Sequence, residues 1–348
     1  MLRDRPDPER FHFRDLHPLV CLGTASDRYG GWIGQIYSPD RYSGRLSTRS
    51  HKVGGKSYRE QVLPVDSVAE YFEHFSVLEI DFTFYGLLLS EDGRPTSTYA
   101  VLQSYRDHLP EGARIFLKAP QTVFAQKIRE AGQFVPNPRY LDHRIFSESF
   151  YHPAVRLLED RLAGLIFEQE YQRQTERVAA SALADALDRF FDHIPEDSRY
   201  HVELRTESYL GPEIFRVLDR HGVGQVFSRW TWLPPLPKQL ARAKGRFFSR
   251  ARDCVIRVMT PIGMRYEEAY AKAFPFDRMV DDLFQSALVD ETIHIVRAAI
   301  EQNVTVNVVI NNRAGGNAPL IARQLAHRFL AQEANAQLVQ VGIGDNSL

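Results

Sequence analysis

Cysteine is nearly missing from this chain: Cys21 and Cys254 are the only two in 348 residues, each inside an apolar run. Two isolated thiols cannot build a disulfide framework, and they fit a reducing, cytoplasmic setting. Long hydrophobic stretches are lacking too, and nothing approaches the ~20 apolar residues of a membrane-spanning helix. Behind the opening Met1-Leu2-Arg3-Asp4-Arg5-Pro6-Asp7 there is no apolar segment of the kind a signal peptide needs. Nor is there an excess of either charge, with 43 Lys and Arg against 44 Asp and Glu, net −1. That balance excludes a uniformly basic nucleic-acid binder and leaves room for a local basic patch. What is present, 44% hydrophobic and 25% charged residues without repeats or low-complexity tracts, is ordinary globular composition. The length admits one large barrel or two medium domains.

The order of the apolar runs decides between them. Strand-like runs occur at 20–24, 78–82, 114–119, 164–168, 201–205, 225–228, 255–260 and 305–311. Helical patterns lie between them, near 65–75, 98–109, 147–162, 175–194, 212–221, 237–244 and 279–302, with 319–333 last. In the fourth, Leu183, Leu187, Phe190 and Ile194 recur at three- and four-residue steps and form one stripe. Strands alternating with helices imply parallel pairing, and eight strands close a (β/α)8 barrel of the TIM type. An open doubly wound sheet is the competitor. Gly23-Thr24-Ala25-Ser26-Asp27 after the first strand lacks the glycine spacing of a dinucleotide loop, so the barrel is favoured. Residues 20–335 are expected to form it, with 1–19 an extension and 336–348 a tail. Three stretches exceed ordinary loop lengths, 27–64, 120–146 and 229–253, after strands one, three and six.

Several motifs resemble the YecE-like family, domain of unknown function 72. They are Gly23-Thr24-Ala25-Ser26 with Trp32, then Leu78-Glu79-Ile80-Asp81-Phe82-Thr83-Phe84-Tyr85, then Phe116-Leu117-Lys118-Ala119-Pro120. Val202-Glu203-Leu204-Arg205 with Ser208-Tyr209 follows, and Val309-Ile310-Asn311-Asn312-Arg313-Ala314-Gly315-Gly316-Asn317-Ala318 comes last. The resemblance covers roughly residues 20–330 and implies a TIM-type barrel; likeness to nuclease-like or sugar-isomerase-like barrels is fold analogy only. The chain departs from the family's pattern at Asp81, at Glu168-Gln169-Glu170-Tyr171 and at Val258-Met259-Thr260 after Arg257.

Strand alternation puts Glu79, Asp81 and Thr83 on one face, and Glu203 with Arg205 on another. With Lys118, Arg257 and Asn311 they fall at strand ends, where a barrel carries its site. Desolvated charges there must pair with each other or with a ligand. Glu79, Glu203 and Lys118 are the candidate catalytic groups, and Asp81, Arg205, Arg257, Asn311 and Asn312 the candidate ligand contacts. The simpler alternative is a closed ion-pair network that plugs the barrel. After strand eight, Arg313, Gly315 and Gly316 precede a helix that Asn317 would cap, a pattern suited to an anion. An ordinary capped turn would read the same way.

Carboxylates at strand ends suit Mg²⁺ or Mn²⁺. A multinuclear zinc centre is disfavoured, since His51, His74, His201 and His294 are scattered away from the strand exits. No Gly-x-Ser-x-Gly nucleophile signature is present. Two windows are basic without one acid: Arg41, Arg45, Arg49, Lys52, Lys56 and Arg59, and Lys238, Arg242, Lys244, Arg246, Arg250 and Arg252. Trp32, Trp230 and Trp232 lie near them and are candidate stacking residues, or a rigid hydrophobic lid. The leading expectation is a barrel that binds an anionic, phosphorylated or nucleotide-like small molecule, with a hydrolase or isomerase-type reaction. The alternatives are a nuclease-like nucleic-acid binder and a non-catalytic scaffold.

Overall fold

Eight of the apolar runs pair side by side, all in parallel, and the last closes on the first. The computed structural model describes residues 6–130 and 132–344. The barrel strands are β1 (Val20–Ala25), β2 (Val77–Ile80), β3 (Arg114–Lys118) and β4 (Leu162–Gln169), then β5 (Tyr200–Leu204), β6 (Gly224–Arg229), β7 (Asp253–Val258) and β8 (Thr305–Ile310). They are buried on both faces, which is why they read as nearly continuous apolar runs. β1 bonds to β8 from Val20↔Val306 to Thr24↔Ile310, and to β2 from Gly23↔Val77 to Ala25↔Glu79. Closure is tight at Gly23, where a Cβ would lie 1.8 Å from the Val77 carbonyl oxygen.

The helices form the outer ring. Pro212–His221 has the bounds the sequence predicts: proline opens it and Gly222, at φ +66, ends it. Helix Ala180–His193 buries Leu183, Leu187 and Phe190 against the barrel, but it starts later than the predicted 175 because 177–179 are extended. Helix Ala287–Glu301 likewise replaces the longer 279–302, with turns before it. The final helix runs unbroken over Ala318–Gly344. Residues 1–5 of the expected extension and 345–348 of the expected tail lie outside the described residues. Within the extension, Phe13 and Leu16 are buried in the main core, Phe13 against Phe75.

All three long loops carry structure of their own. The loop after β1 holds the hairpin Ser47–Val53/Lys56–Val62, the one after β3 the hairpin Lys127–Glu130/Gln133–Pro136, and the one after β6 the helix Leu236–Arg242. His51 and Tyr58 face each other across the first hairpin, and both pack on Tyr270 of the helix Tyr266–Ala273 after β7.

Candidate functional site

Alternation along the strands sorts the barrel interior into layers. Val77, Phe116, Ile166, Val226, Val255 and Val309 form an apolar layer. Two residues further along each strand stand Glu79, Lys118, Glu168, Ser228, Arg257 and Asn311, with Glu203 of β5 at the same level. A charged tier therefore rests on a hydrocarbon one, where every charge needs a partner.

Arg257 is the hub. Its Nε donates to Glu79 Oε2 at 2.7 Å and its Nη2 to Glu79 Oε1 at 2.6 Å, a bidentate pair across the barrel. Its Nη1 donates to Glu203, whose other oxygen accepts from Ser228 Oγ at 2.6 Å. Glu79, Glu203 and Arg257 are closed to solvent, at 0%, 0% and 1% exposure. Above them Glu168 joins two further cations. Lys118 pairs with Oε2, and Arg205 Nη1 lies 2.5 Å from Oε1, while Arg205 Nη2 reaches Glu203 at 3.3 Å. Each of these two cations lies under an aromatic ring: Lys118 Nζ is 4.0 Å from the Phe84 centroid and Arg205 Cζ 5.1 Å from that of Trp230.

The two lower carboxyls titrate in opposite directions. Burial pushes Glu79 up, more than Arg257 and Lys118 pull it down. At Glu203 burial is outweighed by Arg205, Arg257 and Ser228, which hold it at about 2. Glu168 is also lowered, since Arg205 and Lys118 overcome its burial. Environments that drive neighbouring carboxyls apart are what acid–base chemistry uses.

The sequence-based candidates divide here. Glu79, Glu203, Lys118, Arg205 and Arg257 come together in one network. Asp81 does not share the Glu79 face, because β2 ends at Ile80 and a 3-10 turn over Phe82–Tyr85 begins at once. Its Oδ1 instead accepts from Ser26 Oγ at 2.8 Å. Thr83 is turned under the same loop and donates to the Lys118 carbonyl at 2.8 Å. Trp32 is fully buried, and its indole N–H donates to Asn312 Oδ1, while Asn312 Nδ2 is buried without a hydrogen-bond partner. The Asn311 side chain accepts from the Arg313 amide in a local turn.

At Gly315 and Gly316 the anion cradle is filled by the chain itself. Both amides donate to the Asn312 carbonyl, at 3.3 and 2.7 Å. The helix start is likewise satisfied, Ala318 N by Asn312 Oδ1 and Leu320 N by Asn317 Oδ1. Gly316 stands at φ +102, where a Cβ would lie 2.3 Å from the Arg278 carbonyl; the glycine serves that close approach. Arg313 remains turned toward the mouth, its Cζ 4.5 Å from the Tyr266 ring centroid and its buried Nε without a hydrogen-bond partner.

Aromatic surface rims the mouth. Trp232, 43% exposed, stacks on Tyr171 at 5.4 Å, and Tyr171 approaches Trp230 at 6.1 Å. Tyr85 and Tyr266 are also among the exposed large side chains.

Charge pairing in space changes the two basic windows. Arg41, Arg45 and Arg49 reach Glu70, Asp66 and Glu60, acids that lie beyond the linear window. Lys52, Lys56 and Arg59 have no carboxylate within 4.0 Å among the described residues. The second window runs down to the start of β7, so Lys244, Arg246, Arg250 and Arg252 leave the mouth rather than frame it.

Two residues of the site escape sequence reasoning. Glu168 belongs to the alternating face of β4, and the spacing from Ile166 is its signal. Asp27, at the exit of β1, accepts from Tyr105 Oη at 2.7 Å while Oδ2 is buried without a partner. Burial raises it to about 6, against smaller lowering by Tyr105 and Arg28. Among the described residues no group of three or more His, Cys, Asp or Glu is placed to hold a metal ion. No described helix is long and apolar enough to cross a membrane.

The profile of the family described as "Protein of unknown function DUF72" matches residues 22–341. The chain belongs to the DUF72 family. Its barrel is similar to that of a DUF72 family protein from Thermotoga maritima, 13% identical with a TM-score of 0.52, over 90% of this chain and 99% of that one. A DUF72 family protein from Enterococcus faecalis is 15% identical with a TM-score of 0.51, over 90% of this chain and 95% of that one. At such identity the likeness of these DUF72 structures shows the fold alone. No curated protein is similar enough to this chain to match.

Proposed function

We propose that the mouth of this DUF72 barrel binds a small polar molecule that carries a ring and one anionic group, of the phosphorylated or nucleotide-like kind. The observation that carries the reading is Arg313, which has no carboxylate within 4.0 Å among the described residues, while the cations of the tier below are compensated by Glu79, Glu168 and Glu203. An anion there would compensate the guanidinium charge, and the rings of Phe84 and Trp230 offer faces to the ligand. A bound molecule would meet Lys118, Glu168 and Arg205 first. Proton transfer of hydrolase or isomerase type would then involve Glu168 and Lys118, with Glu79 and Glu203 holding Arg257 beneath them. The free thiols Cys21 and Cys254 fit a cytoplasmic setting. The test is calorimetric titration with a hexose phosphate, a nucleoside monophosphate and their unphosphorylated parents, on wild type and Arg313→Met. Binding that needs the phosphate and drops at least tenfold in the variant is expected; equal affinity for parent and phosphate overturns the reading.

A second reading has its own observation, the exposed Tyr171–Trp232 stack beside the mouth, which could seat bases of a single strand. Affinity for a single-stranded oligonucleotide would then fall with salt at a log–log slope of about −0.7 per phosphate contact. A flat salt profile rejects it.

A further inference from the structure

Away from the mouth, the second basic window builds a site that the reading above does not use. Helix Leu236–Arg242 ends in a turn with Lys244 at φ +55 and Gly245 at φ +72. This turn carries Arg242, Lys244 and Arg246 against Arg216 and Asp219 of helix Pro212–His221, and between them lies a cleft of about 170 Å³. Its base is aromatic: Phe215 and Phe248 stack at 5.3 Å and 27°, and the Arg246 Cζ lies 5.1 Å from the Phe248 centroid. Four cations thus line the cleft over a hydrocarbon surface with one carboxylate, Asp219, while Glu207 answers Arg242 from beside it.

The internal neutralisation is partial. Asp219 pairs with Arg246 and Glu207 with Arg242, while Arg216 and Lys244 have no carboxylate within 4.0 Å among the described residues. The Arg246–Asp219 pair is about half exposed on both sides (52% and 53%), and such pairs hold their partners weakly. Lys244 adds a backbone argument. It stands in the left-handed region at φ +55, a conformation that glycine adopts without strain. Clustered cations that are only partly compensated favour a multiply charged anion, and guanidinium forks match phosphate oxygens.

We propose that this cleft, on the outer flank of β5 and β6, is a second binding site, for a phosphate-bearing anion, with Lys244 and Arg216 as the deciding contacts. Free phosphate and a linked diphosphate share this chemistry, so inorganic phosphate and pyrophosphate are titrated separately into the full chain at fixed ionic strength. Three proteins are compared: wild type, Lys244→Gly/Arg216→Gln, and Arg313→Met. Glycine fits the backbone at 244, so the double variant keeps its fold, which its melting temperature without ligand checks. The expected result is saturable pyrophosphate binding in wild type and in Arg313→Met, weakened at least tenfold in Lys244→Gly/Arg216→Gln. Tighter binding of pyrophosphate than of phosphate assigns the site to a diphosphate, and equal binding to a single phosphate group. The proposal is overturned if wild type does not bind either anion, if the double variant binds like wild type, or if only Arg313→Met loses binding. The last outcome would place all anion binding at the mouth and leave the earlier reading standing.

Discussion

The charged tier inside the barrel has two storeys that differ in what they can do. In the lower one, Glu79, Glu203 and Arg257 are sealed, and Arg257 spends its guanidinium on both acids. In the upper one, Lys118, Glu168 and Arg205 retain side-chain exposures of 9%, 6% and 15%, and aromatic rings rather than backbone cover them. Equal charge counts therefore conceal unequal roles. The lower storey is bound to the fold, whereas the upper one can trade an internal partner for an external one.

Breaking the lower storey should have the largest effect. Arg257→Met strands two buried carboxylates and is expected to cost roughly 3–5 kcal/mol, read by urea unfolding. The triple change Glu79→Gln/Glu203→Gln/Arg257→Met should recover most of that loss; if the single variant unfolds like wild type, the storey is not sealed. Arg205→Met acts one level up, where water can reach Glu168, and about 2 kcal/mol is expected in the same assay. A loss as large as that of Arg257→Met would erase the distinction.

Asp27 sharpens the comparison from the side, as a buried acid without a cation in contact. Its folded value of about 6 lies above the ordinary 3.8, so the folded chain holds this proton more tightly than the unfolded one. The stabilising contribution of the bound proton is present at low pH and is lost as pH rises through about 6. Asp27→Asn should therefore be more stable than wild type by on the order of 2 kcal/mol above about pH 7, and the gain should vanish near pH 4. Melting curves across that range decide it, and a gain that is flat with pH defeats the argument. The smallest expected effect is that of Arg313→Met, within about 0.5 kcal/mol of wild-type stability. A clear destabilisation there would make Arg313 a structural residue like Arg257.

The barrel was legible in the sequence because its strands are buried on both faces and so stand out as apolar runs between amphipathic helices. The charged tier was legible in part: Glu79, Lys118, Glu203 and Arg257 announce themselves as charges within such runs. Their pairing was not, because Glu79 and Arg257 are 178 positions apart and meet only when the cylinder closes. Asp81 shows another limit, since strand alternation holds only to Ile80 and nothing in the local pattern marks that end. Trp32 beside a basic stretch suggested a ligand contact, and its actual partner, Asn312, comes from the far end of the chain. At Gly315-Gly316 the residue types fitted an anion and a tight turn equally well, and the Asn312 carbonyl decided for the turn. The basic windows misled for a related reason, as the acids that answer Arg41, Arg45 and Arg49 lie outside them.

The apolar layer of Val77, Phe116, Ile166, Val226, Val255 and Val309 works as a stopper. Water and small ions have no passage through it, so the cylinder is a blind tube with a single open end. Any proton gained or lost by Glu79 or Glu203 must travel past Lys118, Glu168 and Arg205, and a molecule seated there would cut the lower carboxyls off from the solvent altogether.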